Sequence, residues 1–155
     1  MRSKNDPEGR RTSNQKGLSE ARKIAMVLVE KKIRNVWVID VVGLCSYADY
    51  LVLGDAENER HMQAALEALD MALNRPGFGF VPERGGRWTL LDLGDVVVDL
   101  FLPSIRGIYR LEDLYSEAPV LVFDDAGLEK LVRPEERLSL YPFPRELHES
   151  ALSGH

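Results

Sequence analysis

The chain has only one cysteine among its 155 residues, and this scarcity excludes two kinds of architecture. An internal disulfide needs two cysteines, and a cysteine-based zinc cluster needs more than one. The sequence therefore favours a reducing, cytoplasmic environment. Cys45 itself is most simply a small buried residue, because no neighbouring histidine suggests an activated nucleophile.

Long apolar runs are also missing from the sequence. No stretch approaches the roughly 20 apolar residues that a membrane-spanning helix requires, and the N-terminus is too polar for a secretory signal. With 45% hydrophobic and 29% charged residues, the composition is that of an ordinary globular protein. We expect one domain with tails, and no membrane partner.

The residue patterns of common active sites are absent as well. There is no glycine-rich phosphate loop, no serine–histidine–aspartate set and no Asp-x-Asp pair typical of polymerase-like metal sites. His148 and His155 lack metal-ligand spacing, and the acids at Asp55, Glu57 and Glu59 lead into a helix N-terminus, where the helix dipole favours them. The sequence therefore predicts no enzyme, no metal and no cofactor.

The net charge of −5 is unevenly distributed along the chain. Residues 1–17 carry five Lys/Arg against two Asp/Glu and almost no apolar side chains, which predicts a disordered basic tail. The remaining residues carry 15 Lys/Arg against 23 Asp/Glu, a net charge of −8. Phosphate contacts need clustered basic residues, so this acidic body favours a basic protein partner over sequence-specific nucleic-acid binding.

Hydrophobic periodicity predicts a mixture of helices and strands before residue 75. We expect a helix of about 13 residues capped by Ser19, and a strand over 35–44 whose apolar character indicates burial on both faces. A second strand is predicted over 49–55 and an amphipathic helix over 57–74, ended by the "RPGFG" segment. The pattern is that of an α/β domain with a small mixed sheet flanked by helices.

The second half of the chain predicts a hairpin, a short helix and an extension. The helix, "SIRGIYRLEDLYSEA", should turn Ile108, Leu111 and Leu114/Tyr115 inward. Residues 119–155 combine a short apolar run, with one or two helical turns, and a proline-punctuated tail. We expect this extension to wrap the domain or to remain partly free.

The segment "WTLLDLGDVVVDLF" from Trp88 to Phe101 places three aspartates in the apolar hairpin. A two-residue turn at Leu93-Gly94 would pair Asp92 with Asp95. Side chains alternate along a strand, so one face is apolar and forms the core. The other face would hold Trp88, Leu90, Asp92, Asp95, Val97, Asp99 and Phe101.

Asp95 and Asp99 cannot share one metal ion on this geometry, whereas Asp92 and Asp95 could meet across the turn, where two carboxylates are more often simply solvated. Asp95 and Asp99 would lie about 13 Å apart along a strand, whereas oxygen ligands sit within about 2.6 Å of a magnesium or calcium ion. The hairpin therefore predicts an acidic face for a partner, with Trp88 as an interface anchor. The alternative is that Trp88 packs beneath the C-terminal extension. Tyr109, Tyr115 and Glu112 would extend the contact surface, or the tyrosines would simply pack.

Four segments in order resemble the Iojap-like ribosomal silencing factor family, RsfS: "IDVVGLCSYADYLVL", "RHMQAALEAL", "WTLLDLGDVVVDLF" and "RGIYRLEDLY". The resemblance covers residues 18–118. Its specific parts are Asp49-Tyr50, Arg60, the Trp-x-x-x-Asp-x-Gly-Asp run starting at Trp88 and the Arg-x-x-Tyr-x-Leu-Glu-x-Leu run starting at Arg106.

The resemblance implies a nucleotidyltransferase-like fold without that fold's catalytic carboxylates. It also implies that the domain docks on the universal large-subunit ribosomal protein uL14, where the small subunit must approach. The bound factor would block subunit joining and repress translation without being an enzyme. The partner-binding residues expected on this basis are Trp88, Leu90, Asp92, Asp95, Asp99, Tyr109, Glu112 and Tyr115.

Several positions depart from the family pattern. Asp99 stands where the family usually has histidine, Tyr115 where it has tryptophan, and "DAEN" replaces the usual approach to the second helix. The alternative function is a nucleotide-handling or metal-dependent transferase that uses acids near Asp49, Asp92 and Asp95. The sequence leaves open a homodimer and the role of residues 119–155.

Overall fold

The computed structural model describes residues 14–73, 78–80 and 86–140. In chain order their elements are α1 (Gln15–Glu30), β1 (Arg34–Asp40), β2 (Tyr50–Asp55), α2 (Glu59–Leu73), β3 (Phe78–Phe80), β4 (Trp88–Asp92), β5 (Val96–Phe101), α3 (Ile105–Tyr109), α4 (Leu111–Leu114), β6 (Val120–Phe123), β7 (Glu129–Val132) and a 3-10 helix, Pro134–Leu140. Within these ranges, no helix is long and apolar enough to cross a membrane.

The strands form one mixed sheet in the order β3-β4-β5-β2-β1-β6-β7. β2 and β5 run parallel to each other, and every other neighbouring pair is antiparallel. The two strands predicted before residue 56 are confirmed, with β1 ending at Asp40 and β2 beginning at Tyr50. An α/β domain with a mixed sheet flanked by helices is therefore confirmed.

Helices α1 and α2 cover the first face of the sheet. The inward positions of α1 are buried at helical spacing, and they pack with α2 and with alternate residues of β1, β2 and β5. The helix begins at Gln15, because the side chain of Asn14 accepts a hydrogen bond from the Gly17 backbone N–H. The predicted cap at Ser19 is wrong. Residues 14–17 belong to the folded part, and residues 1–13 of the predicted tail lie outside the described residues.

The second face of the sheet also carries a buried cluster, which confirms the predicted burial of the strand over 35–44 on both faces. Trp37 and Ile39 of β1, Leu51 of β2 and Val97 and Phe101 of β5 are its centre. The segment from α3 to residue 118 and the loop between β1 and β2 pack over it. The face of the hairpin that was expected to lie opposite the core is therefore largely covered.

The hairpin turn differs from the prediction by a register shift of two residues. The central turn residues are Gly94 and Asp95, because Leu93 N–H donates to the Val96 carbonyl at 2.9 Å. Gly94 has a φ of +95°, which favours glycine at the first turn position. A shift of two preserves alternation, so the strand residues expected to share a face with Trp88 do share it.

The apolar run after residue 118 forms a strand rather than helical turns, a second strand follows it, and a 3-10 helix comes after both. β6 pairs with β1, and β7 pairs with β6 at the edge of the sheet. In the 3-10 helix that follows, the buried Arg137 donates from Nη1 to the carbonyl oxygens of Ala118 at 2.7 Å and Tyr115 at 3.1 Å. The expected boundary at residue 118 thus falls inside the folded sheet, and residues 141–155 lie outside the described part.

Close packing between β2 and its neighbours predicts the effect of enlarging Gly54. A Cβ atom there would lie 2.6 Å from Ile33 Cγ2 and 3.3 Å from Leu100 Cδ2. We expect Gly54→Ala to lower the free energy of unfolding by about 1–3 kcal/mol in urea denaturation. Gly107→Ala is the matched control, because no atom lies within 4 Å of its Cβ position. Equal effects of the two changes would contradict this account.

Candidate functional site

The segment from Ile105 to Tyr115 forms the outer layer of the second face. Arg110 has a φ of +49° and separates α3 from α4, so the single helix predicted here is two short ones. Ile105 is buried, whereas 67% of Ile108 and 70% of Leu114 are exposed. The expectation that Ile108 and Leu114 face inward is therefore wrong, because the break at Arg110 interrupts the helical period.

Trp88 is half-buried between this layer and the sheet. Its ring lies 5.5 Å from the Phe101 ring in a stacked arrangement and 4.9 Å from the Tyr109 ring in a tilted one. Contacts of this kind hold the plane of the aromatic ring against its neighbours. Tyr109 keeps 42% of its surface exposed, so the Trp88 and Tyr109 rings lead from the buried Phe101 to the protein surface. We call these two rings the aromatic step.

We define the aromatic surface as Trp88, Ile108, Tyr109, Leu114 and Tyr115. Tyr115 is partly buried against the second cluster, close to Tyr47 on the β1–β2 loop. Burial raises the pKa of the Tyr115 hydroxyl, with Cys45 and Tyr47 adding to the increase. Cys45 is partly exposed rather than buried as predicted. The surface thus presents large apolar side chains supported by a packed layer.

Asp99 is buried beneath this surface, and its predicted role as a charged contact is wrong. Only 1% of the residue is exposed, between Leu53 of β2 and Leu90 of β4. Burial raises the pKa of Asp99 to about 6, although the Trp88 hydrogen bond and the Arg106 charge oppose the increase. The Trp88 indole Nε1–H donates to Asp99 Oδ1 at 2.8 Å.

Arg106 is a buried residue of the site that was not among the expected contact residues. Its guanidinium lies 4.7 Å from the centre of the Trp37 ring. It donates from Nη1 to the Asn35 carbonyl at 2.6 Å and lies 3.4 Å from Asp55 Oδ1. These interactions attach α3 to strand β1 and to the end of β2. The available signal was its place at the start of the Arg-x-x-Tyr motif.

The remaining aspartates lie near the hairpin turn, away from the aromatic step. Asp92 Oδ1 accepts a hydrogen bond from the Gly94 N–H and stabilises the turn. The Asn14 amide donates to Asp49 Oδ2 at 2.7 Å and to Asp95 Oδ2 at 3.0 Å. A neutral amide therefore joins the carboxylates that the transferase alternative would use. Asp95 is exposed, and Asp49 is buried.

An open cleft of about 490 Å³ lies beside this turn. It is lined by Gly43, Leu44, Cys45, Ser46, Tyr47, Ala48, Asp49 and Asp95. Within the described residues, no group of three or more His, Cys, Asp and Glu side chains is arranged to hold a metal ion.

The structure thus divides the expected contact residues into two groups. Trp88, Leu90 and Asp99 meet on one face of the hairpin, with Tyr109 and Tyr115 in the layer above it. Asp92 and Asp95 lie at the turn. Glu112 belongs to α4, and its side chain lies outside the described part.

The raised pKa of Asp99 predicts a specific pH dependence of stability. Folding favours the protonated carboxyl, so its stabilising contribution is complete below the ordinary pKa of 3.8 and is lost as the pH rises through about 6. Relative to Asp99→Asn, we expect the wild type to lose roughly 2–3 kcal/mol of unfolding free energy between about pH 4 and about pH 7. Urea denaturation of both proteins at each pH measures this difference in unfolding free energy. The contributions of all other titrating groups are the same in both proteins and cancel. A difference that does not vary with pH would contradict it.

Comparisons with known proteins agree with this fold. The family model "Ribosomal silencing factor during starvation", RsfS, matches residues 14–140. Ribosomal silencing factor RsfS of Bacillus subtilis is 30% identical over 98 residues, which are 61% of this chain and 83% of that protein. Chloroplastic protein Iojap of Arabidopsis thaliana is 32% identical over 105 residues, 65% of this chain and 43% of that protein.

A solved structure is similar as well. The crystal structure of a Chromobacterium violaceum protein matches with a TM-score of 0.55 and 26% identity, and it covers 63% of this chain and 84% of its own. The family match spans every described element from the cap of α1 to the 3-10 helix. The resemblance read from four sequence segments is thereby confirmed, and the chain belongs to the RsfS family of ribosomal silencing factors.

Proposed function

We propose that this chain docks through its aromatic surface on protein uL14 of the large ribosomal subunit and sterically blocks the small subunit. Translation would be repressed by this occupancy alone, in the cytoplasm and without catalysis. Membership of the silencing factor family supports the ribosomal target. The observation that carries the choice of surface is the contact between the exposed Tyr109 and the half-buried Trp88. Ile108 and Leu114, in the same α3–α4 segment, are also exposed.

Exposed apolar side chains of this size favour a contact surface. Ile108 and Leu114 are more than two-thirds exposed. Large apolar side chains left in solvent in this way are available for burial against a partner. Tyrosine and tryptophan are enriched among the residues that dominate binding energy. Trp88 already packs against Phe101 and Tyr109 in the free protein. Docking would therefore carry a small entropic cost for ordering this side chain.

Charge and size are also consistent with a ribosomal-protein target. Residues 18–155 carry a net charge of −8, and an acidic domain associates faster with a basic protein. A standard interface buries roughly 800 Å² on each partner. A steric block needs only such an interface at the place where the subunits meet.

The contacts of the acidic residues support a non-enzymatic role. Asp49 and Asp95 share the Asn14 amide, and Asp92 caps the turn. A transferase would instead need carboxylates that converge on a metal-bound nucleotide. Binding of ATP or GTP with magnesium is the measurement that separates the two functions. Saturable nucleotide binding that is lost in Asp49→Asn would favour the transferase.

The decisive test is co-sedimentation of the full chain with purified large subunits, followed by addition of small subunits. We expect the chain to sediment with large subunits and to reduce the yield of joined ribosomes in proportion to its occupancy. Small subunits added first should protect against this effect. Absence from the large-subunit fraction, or binding without any loss of joining, would contradict the proposal.

The aromatic surface makes a prediction for two substitutions. Trp88→Ala should weaken binding to isolated large subunits about thirty-fold, or about 2 kcal/mol, and should also lower the melting temperature because its ring packs on Phe101. Tyr109→Ala should weaken binding with a smaller loss of stability, since the ring is 42% exposed. Met71→Ser is the control, because that side chain is 82% exposed on α2. Normal binding by folded Tyr109→Ala and Trp88→Ala proteins would exclude this surface.

Electrostatic attraction makes a separate prediction for Asp95. Asp95→Asn should reduce the association rate constant several-fold at low salt, and the reduction should disappear as salt screens the charge. Asp70→Asn removes the same charge from an exposed position on α2 and serves as the control. Asp92→Asn should chiefly destabilise the turn, because Asp92 accepts the Gly94 N–H. Equal rates for Asp95→Asn and Asp70→Asn across a salt series would exclude Asp95 as a steering group.

A further inference from the structure

We propose that Asp99 is a positioning residue for docking, because its buried side chain fixes the Trp88 indole in the orientation that the aromatic surface presents. Asp99 touches no partner on this account and acts only through Trp88. The inference rests on the proposed function, and it assigns a role to a residue that was first expected to be a charged contact.

The geometry places the indole under three constraints. Its Nε1–H donates to the buried Asp99 Oδ1 at 2.8 Å, and its ring contacts the rings of Phe101 and Tyr109. The two ring contacts alone would allow the indole to slide or flip, since aromatic packing is weakly directional compared with a hydrogen bond. The hydrogen bond fixes which edge of the ring faces inward. The opposite edge is then the one available to a partner.

Asp99 is a costly choice for this position unless the hydrogen bond is used. It lies on β5 between Leu53 and Leu90, where an apolar residue would fit the pattern of the sheet. Burial disfavours its charged form. Departures from local sequence–structure consistency concentrate at functional sites. The hydrogen bond from the Trp88 indole N–H accounts for a carboxylate at this buried position.

The charged and titratable groups around Asp99 leave the carboxylate available to the indole. Arg106 of α3 lowers the pKa of Asp99 electrostatically, but its Nη1 donates to Asn35 and Asp55. Burial chiefly raises the pKa of Tyr47 on the β1–β2 loop, and the charges of Cys45 and Asp99 add to the increase. The neighbours on β2 and β4 are the apolar Leu53 and Leu90. The Trp88 indole is therefore the donor that responds most directly to the charge of Asp99.

Indole nitrogen-15 NMR on the full chain tests the contact directly. The chain has two tryptophans, so Trp37 provides an internal control, and Trp88→Phe assigns the signals. We expect the Trp88 Nε1–H signal to shift with a midpoint near pH 6 in the wild type and to lose this transition in Asp99→Asn. The Trp37 signal should show a much smaller shift. A Trp88 signal that does not titrate in the wild type, or that titrates unchanged in Asp99→Asn, would overturn the proposal.

Binding to isolated large subunits tests the consequence for docking. Asp99→Leu removes the acceptor and should weaken binding about tenfold, whereas Asp99→Asn keeps an acceptor oxygen and should stay within about threefold of the wild type. Asp49→Asn alters another buried aspartate, which bonds Asn14 instead, and should bind normally. Unchanged affinity of a folded Asp99→Leu protein would overturn the positioning role. If Asp99→Leu does not fold, the ratio of wild-type to Asp99→Asn affinity across the pH range decides, and a constant ratio overturns the proposal.

The two proposals fail in distinguishable ways. If the wild type does not bind large subunits, the proposed function fails, and Asp99 loses its docking role even where the indole titrates as expected. If the wild type binds and Trp88→Ala weakens binding, but Asp99→Leu binds normally, the surface stands and only the positioning role fails. Weakened binding by both variants, with a titrating indole, supports both proposals.

Discussion

Strands β1, β2 and β5 bury side chains on both of their faces, so each face of the sheet needs its own cover. The amphipathic helices α1 and α2 cover one face with a continuous apolar stripe. The other face is covered by short pieces: the β1–β2 loop, α3 and α4. Short pieces cannot bury all of their own apolar side chains, which leaves Ile108 and Leu114 exposed. The aromatic surface is thus a by-product of how the second face is closed.

Periodicity predicted the elements that follow a regular pattern and failed where the pattern is interrupted. Both central strands and α2 were predicted close to their observed positions, because their apolar positions repeat regularly. The predicted hairpin register was wrong by two residues, because the sequence allows a turn at Leu93-Gly94 as well as the observed turn at Gly94-Asp95. The left-handed Arg110 carries no comparable signal, so one helix was predicted where the chain forms two. The strands β6 and β7 were missed because each has only four residues.

The candidate site was predictable only in part, and for a related reason. Alternation along β4 and β5 correctly placed Trp88 and Asp99 on one face, but it cannot say whether that face is covered. The polar ties that define the site join residues far apart in sequence. Arg106 reaches Asn35 across 71 positions, and Asn14 reaches Asp95 across 81. No local pattern marks such partners, so the covering layer and the burial of Asp99 became visible only in three dimensions.

The parallel pairing of β2 with β5 has a consequence for how the chain reaches its fold. It places Tyr50 beside Val96, across the whole of α2, β3 and β4. The β1–β2 and β4–β5 pairs need shorter loops and can form earlier, whereas the parallel pair must wait for a long loop to close. Helix α3 gains its contacts with Asn35 of β1 and Asp55 of β2, through Arg106, only at that late step. A nascent or partly folded chain would therefore lack a formed aromatic surface, which would couple the proposed docking on the ribosome to completed folding.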